Sequence, residues 1–162
     1  ATAKHVAERA GVTWGVIQYH FGDRNGLLMA VVDDGVSRLV ESLSAADVGE
    51  LPLAERVSTV VDIAWDCYSS PTSRAALEIL QAMRNDLSPR RHLLEMNDAI
   101  GRFGRLISDD PADREVAEVI WAALRGMVMA QMIMNEPLDW QRERRTLVEM
   151  AIQRLCCNVD HG

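Results

Sequence analysis

The sequence has no run of about twenty apolar residues, so nothing in it reads as a membrane span. It has no basic-then-apolar leader, so secretion has no support. Period-two stretches bounded by turn residues are missing, which leaves almost no strand signal. Cysteine occurs only at Cys67, Cys156 and Cys157. An odd number without framework spacing excludes a disulfide scaffold and fits reduced thiols in a cytoplasm, serving as small buried apolar residues. His-Glu-x-x-His, paired Glu-x-x-His and Cys-x-x-Cys spacings are absent, as is a glycine-rich phosphate loop. His92 and Glu95 stand three apart in "RHLLEM", too little for a metal site, and Cys156-Cys157 has no histidine nearby except the terminal His161. Catalysis, metal binding and a cofactor therefore have no motif to rest on, and the chain is expected not to be an enzyme. No internal repeat or low-complexity segment occurs.

What is present is a chain of 162 residues, 48% hydrophobic and 25% charged. That suits one domain, or a small module joined to a larger one, with a sizeable core. The formal net charge is −7, which argues against a generic nucleic-acid binder. The distribution is uneven. Residues 1–26 carry Lys4, Arg9 and Arg24 against Glu8 and Asp23, a net of +1, and the remainder holds the excess acid. Contact with an anionic polymer is expected at the N-terminal end.

The spacing predicts an all-α protein. Thr2 caps a first helix to about Arg9, and Gly11 stops it. Thr13 caps a second short helix through about Tyr19. Gly22 breaks it, and Asp23 caps a long helix from Arg24 to about Ser44 with Leu27, Leu28, Val31, Val32, Leu39, Val40 and Leu43 at helical spacing. Pro52 opens a helix carrying Val57, Val60, Val61, Ala64, Trp65 and Tyr68. After the break at Ser70-Pro71-Thr72 another runs to about Asp86. Ser88-Pro89 and Asp110-Pro111 each read as an N-cap followed by proline at the first helical position. A very apolar helix spans Val116 to Met134, and a last one covers about 138–157.

Two short helices separated by Gly11-Val12 make a helix-turn-helix, whose second helix suits a DNA major groove. Thr13 caps that helix and bonds a phosphate. Trp14 offers an apolar face to a thymine methyl or a sugar. Gly15 lets the backbone come close. Gln18 suits bidentate bonds to adenine. Tyr19 and His20 reach phosphates, which fix register without reading sequence. Arg24 pairs with a phosphate from the first turn of the next helix. Val6, Ile17 and Phe21 read as core. Spacing alone leaves an ordinary helical bundle equally open.

The stretch "TAKHVAERAGVTWGVIQYHFGDRNGLLMAVV" resembles the DNA-binding region of the TetR family of bacterial transcriptional regulators. That family's pattern is roughly T-x-x-x-[IV]-A-x-x-A-G-V-[ST]-x-G-x-[IL]-[YF]-x-[HY]-F-x-[SND]-[KR]-[ED]-x-L-L. The chain supplies Thr2, Val6, Ala7, Ala10, Gly11, Val12, Thr13, Gly15, Ile17, His20, Phe21, Asp23, Arg24, Leu27 and Leu28. A weaker likeness lies in "LRGMVMAQMIMNEPLD". Gln18 departs from the family's usual Tyr or Phe, which suits it to read a base, and Asn25 replaces the usual acid. The family has a first helix, and often a basic arm, before Thr2. The chain begins at Ala1 instead of Met, so this segment is expected to be missing. Val6, Phe21 and Leu28 then lose packing, and the chain as written is expected to bind DNA poorly.

The resemblance implies a helix-turn-helix region over 1–32 followed by a helical effector-binding and dimerisation domain over 33–162. It implies a homodimer on a palindromic double-stranded DNA operator, half-sites about 34–36 Å apart or a multiple of that, and release by a small effector. The chain is then a regulator, expected to be a repressor. The last two helices offer stripes for a dimer four-helix bundle: Ile120, Leu124, Met127, Gln131 and Met134 on one, Leu147, Ala151 and Leu155 on the other. An inducer pocket is implied in the middle helices. Trp65, Tyr68, Met83, Met96, Phe103, Trp121 and Met129 suit its apolar lining, with Arg84, Arg125 and Gln131 to orient a mostly apolar ligand. The same residues also suit an ordinary core. The competing reading is a ligand-independent helical interaction module with a degenerate DNA reader.

Overall fold

The computed structural model describes residues 3–83, 90–134 and 138–159. Among them every regular element is helical. The first is α1, Ala3–Ala10, and it ends where Gly11 takes a φ of 68°. Only glycine enters that left-handed region without a steric penalty. The Val12 amide folds back to donate to the Ala7 carbonyl, 3.1 Å away. Thr13 then caps α2, Trp14–Phe21, its hydroxyl accepting from the Val16 amide at 3.4 Å. Gly22, φ 76°, reverses the chain again. Asp23 caps α3, Arg24–Ser44, accepting from the Gly26 amide at 2.8 Å. The turn signals thus set both junctions of the helix-turn-helix by named hydrogen bonds.

The rest is a bundle. It comprises α4 Leu53–Tyr68, α5 Pro71–Ala82, α6 Arg90–Ile107, α7 Arg114–Ile133 and α8 Gln141–Val159. The long helix α3 packs against α5, α6 and α4; α4 also meets α8, α6 and α7; α7 lies between α6 and α8. Phe103, Ile107, Ile120, Leu124, Val57, Val60, Val61 and Val128 are fully enclosed in one continuous core. Each such side chain contributes about 1.5–3 kcal/mol by leaving water.

Four expectations change. Ser70-Pro71 is the start of α5, with Ser70 capping the Ser73 amide and proline in the first turn. That helix stops at Ala82, short of Asp86, which with Ser88-Pro89 lies outside the described residues. Asp110-Pro111 leads into one 3-10 turn, Pro111–Asp113, and not directly into α7. There Asp113 accepts from the Ser108 hydroxyl at 2.7 Å. Finally, α7 is long and apolar enough to cross a membrane by length and composition. Val116, Ala117, Ile120, Trp121, Leu124 and Val128 along it are buried against the other helices, which accounts for part of that apolarity.

Gly26 carries the tightest constraint on the position of α2. A β-carbon there would overlap the carbonyl oxygen of Phe21, so the α2–α3 corner closes only around glycine. Gly26→Ala is expected to lower stability by about 1–3 kcal/mol in urea denaturation, because the corner must shift to admit the methyl. Gly49→Ala, with open space around it, is the control expected to change stability by less than about 1 kcal/mol.

Candidate nucleic-acid interface and interior site

On α2 only Ile17 is buried; it faces the body of the protein. Helical geometry then places Gly15, Gln18 and Tyr19 together on the opposite, outer face, at i, i+3 and i+4. All three are exposed, Tyr19 at 83%. His20 flanks them, its ring edge-on to Tyr19 with centroids 5.2 Å apart. This brings an amide, a phenol and an imidazole to one surface beside a glycine that adds no bulk. Trp14 shares the Ile17 side of the helix and is half-buried, so it stands at the margin of that surface. Thr13 and Arg24 are exposed at the two ends of α2. Thr13 spends its side-chain oxygen on the cap. Lys4 lies 3.9 Å from Glu8 on the exposed side of α1, and Arg9 and Arg24 are exposed cations beside α2. Thr2 lies outside the described residues. Val6 and Phe21, expected in the core, are exposed, and Leu28 is half-buried.

The expected pocket residues separate. Tyr68, Phe103 and Trp121 come together as a buried aromatic cluster, with Trp121 5.3 Å from Tyr68 and 5.7 Å from Phe103 between ring centroids. Trp65 instead turns to the α4–α8 seam, where the Arg144 guanidinium stacks 5.0 Å from its ring centroid. Arg144 also bonds Asp62 at 2.6 Å, tying α8 to α4. Arg125 is exposed, and Met83 and Met129 are half-buried. Arg84 and the side chain of Met96 lie outside the described residues. A cavity of about 20 Å³ does exist beside Tyr68, between α3 and α5.

The expected dimer stripes also shift. Ile120, Leu124, Ala151 and Leu155 are buried in the protomer's own core and present no surface. Met127 and Leu147 are half-buried and pack on that core. Gln131 accepts from the Leu138 amide at 2.9 Å, bracing the connection between α7 and α8. Met134 alone of the stripes is exposed. The apolar surface lies elsewhere on the same helices, at Val119, Ile133 and Met150, which are 62%, 80% and 62% exposed. Val119 and Met150 flank a groove of about 280 Å³ between α7 and α8. Val119, Gly126 and Ile133 recur every seven residues, a signal present in the sequence. The cysteines depart from expectation as well: Cys67 is half-buried, and Cys156 and Cys157 are exposed. Among the described residues no three His, Cys, Asp or Glu side chains converge as metal ligands.

No protein-family model matches the chain. It is 28% identical over 155 residues to the HTH-type transcriptional regulator BetI of Escherichia coli O17:K52:H18, an alignment covering 86% of this chain and 75% of that protein. No solved structure matches.

Burial pushes the Tyr68 phenol up to about 12, opposed in part by the positive charge of Arg125. The folded state therefore holds this proton more tightly than the unfolded chain, where a tyrosine titrates near 10. The stabilisation is complete below about pH 10 and is lost as pH rises toward 12. Between those limits the protein is expected to lose roughly 2–3 kcal/mol more stability than Tyr68→Phe. Parallel urea titrations of both proteins check this, and identical pH profiles would show that Tyr68 carries no such linkage.

Proposed function

We propose that the protein is a transcriptional regulator of the TetR type. On this reading it is not an enzyme; it binds a palindromic operator as a homodimer, acts as a repressor in the cytoplasm, and is released by a small, mostly apolar effector. The observation that carries the reading is the outer face of α2. Gly15, Gln18 and Tyr19 stand there with His20 alongside, on a helix held at both ends by turn glycines and side-chain caps. That is the composition of a groove-reading helix, with an amide for a base edge and hydroxyl and imidazole groups for phosphates. The likeness to a helix-turn-helix regulator over most of the chain supports the same reading.

A short reader needs a two-fold partner to cover two half-sites. The exposed Val119, Ile133 and Met150 supply an apolar face for one, and a second copy would meet it isologously. The bundle buries the most apolar stripe of each helix for itself and leaves this neighbouring stripe outward.

Two experiments test the proposal. Selection from random duplex DNA at a stated salt concentration, with the full-length gene product, is expected to enrich one palindrome. Gln18→Ala is expected to relax preference at one base pair per half-site by about 1–3 kcal/mol. A folded dimer that enriches nothing above non-specific binding would sink the proposal. For the partner face, Val119→Glu with Met150→Glu is expected to convert dimer to monomer by light scattering while helicity is retained. A dimer unaffected by both charges would place the interface elsewhere.

A further inference from the structure

The helix α2 presents its apolar side chains in two directions. Trp14, Ile17 and Phe21 recur at i, i+3 and i+7, so they share the side on which Ile17 is buried. Val16 does not join them. It is turned about 100° from Ile17 and stands 44% exposed beside the outer face of Gly15, Gln18 and Tyr19. Trp14, which the sequence suggests for an apolar contact with thymine, is half-buried at the margin of that face.

Val16 is also held firmly. Its amide donates to the Thr13 hydroxyl at 3.4 Å and to the Thr13 carbonyl at 3.1 Å. A β-branched side chain on a fixed helical backbone keeps essentially one rotamer. Its methyl groups are therefore presented in one place before any partner arrives.

Gly15 supplies an independent observation. Its φ is not positive, and within 4 Å a β-carbon there would touch only the Thr13 hydroxyl oxygen, at 3.7 Å. Neither the backbone nor the protein's own packing asks for glycine, and glycine is unfavourable in a helix relative to alanine. The space it leaves opens outward, with Val16 on one flank and Gln18 on the other. Residues two apart on a helix leave it in nearly opposite directions, so a surface that closes on Gly15 meets both flanks.

The chemistry of Val16 selects what it meets. Its side chain makes no hydrogen bond, so it gains only from apolar surface. In the major groove the apolar group on a base edge is the 5-methyl of thymine. The N-terminal residues of a groove-reading helix are the ones that reach base edges, and Val16 lies in the first turn of α2.

We propose that Val16 reads the 5-methyl group of one thymine in each operator half-site, on the opposite flank of α2 from the base that Gln18 reads. The inference rests on the regulator reading and adds to it the base chemistry of the operator. Each half-site then holds one base pair chosen by a methyl group and another chosen by hydrogen bonds.

The test uses the palindrome selected with the full-length gene product. Each thymine is replaced in turn, symmetrically in both half-sites, by deoxyuridine, which lacks only the methyl group. Titrations at one fixed salt concentration read affinity. At one position the replacement is expected to weaken the wild-type protein about fourfold per half-site, the loss of one buried carbon, or about sixteenfold for the pair. Val16→Ala is expected to bind the unmodified palindrome more weakly and to lose its sensitivity to uracil at that position alone. Its DNA-free Tm is expected to hold, since the position is exposed and alanine favours helix. A lower Tm with the uracil penalty intact would show a merely structural valine and overturn the proposal. So would a palindrome in which no thymine is sensitive, or a penalty that Gln18→Ala removes and Val16→Ala does not. The two readings fail in different ways. A folded dimer that enriches a palindrome without a Val16-dependent methyl keeps the regulator and loses this contact. One that enriches no palindrome loses the regulator, and the contact with it.

Discussion

Everything in this protein hangs on α3 being one unbroken rod from Arg24 to Ser44. Its first turn is clamped to α2 by the Asp23 cap and by the corner at Gly26 that leaves no room for a β-carbon. Its middle is pressed against α5, where a β-carbon at Gly35 would lie 3.4 Å from Ala76 Cβ. Its last turns bury Leu39 and Leu43 in the bundle core. A helix of 21 residues is about 30 Å long. Among the described residues of α1 and α2, the small N-terminal unit buries only Ala7 and Ile17. It inherits its orientation from α3, and its position is set by how α3 sits on α5 and α6.

The parts of this arrangement that were legible in the sequence are those governed by local chemistry. Gly11, Thr13, Gly22 and Asp23 each do at their position what their backbone preferences dictate, and the boundaries of α1 and α2 follow within two residues. Periodicity likewise gave α3 its limits of Arg24 and Ser44. Gly26 was missed because its constraint is not a φ value; it is the proximity of the Phe21 carbonyl, which exists only after the corner has closed.

The errors share one physical cause. An apolar stripe on a helix declares that something covers it, and the sequence is silent about what. On α7 the richer stripe through Leu124 is covered by the chain itself, and the sparser Val119–Ile133 stripe is left exposed. On α4, Trp65 and Tyr68 differ by three positions, yet one meets Arg144 at a seam and the other enters the aromatic cluster. At Asp110-Pro111 the Ser108 hydroxyl accepts from the Asp110 amide and donates to Asp113, and a 3-10 turn intervenes before α7. Burial decides between neighbours on a helical wheel, and burial is a property of the fold.

The space beside Tyr68 lies between α3 and α5, the same two helices whose contact fixes where α2 points. On the proposed reading, an effector acts by favouring a different arrangement of those helices, and close-packed interiors switch between arrangements instead of yielding continuously. Moving a population from 1:99 to 99:1 takes about 5.5 kcal/mol of differential affinity. A hydrogen bond supplies only about 1 kcal/mol of that, so an effector of the proposed kind draws most of it from apolar surface, at about 25 cal/mol per Å².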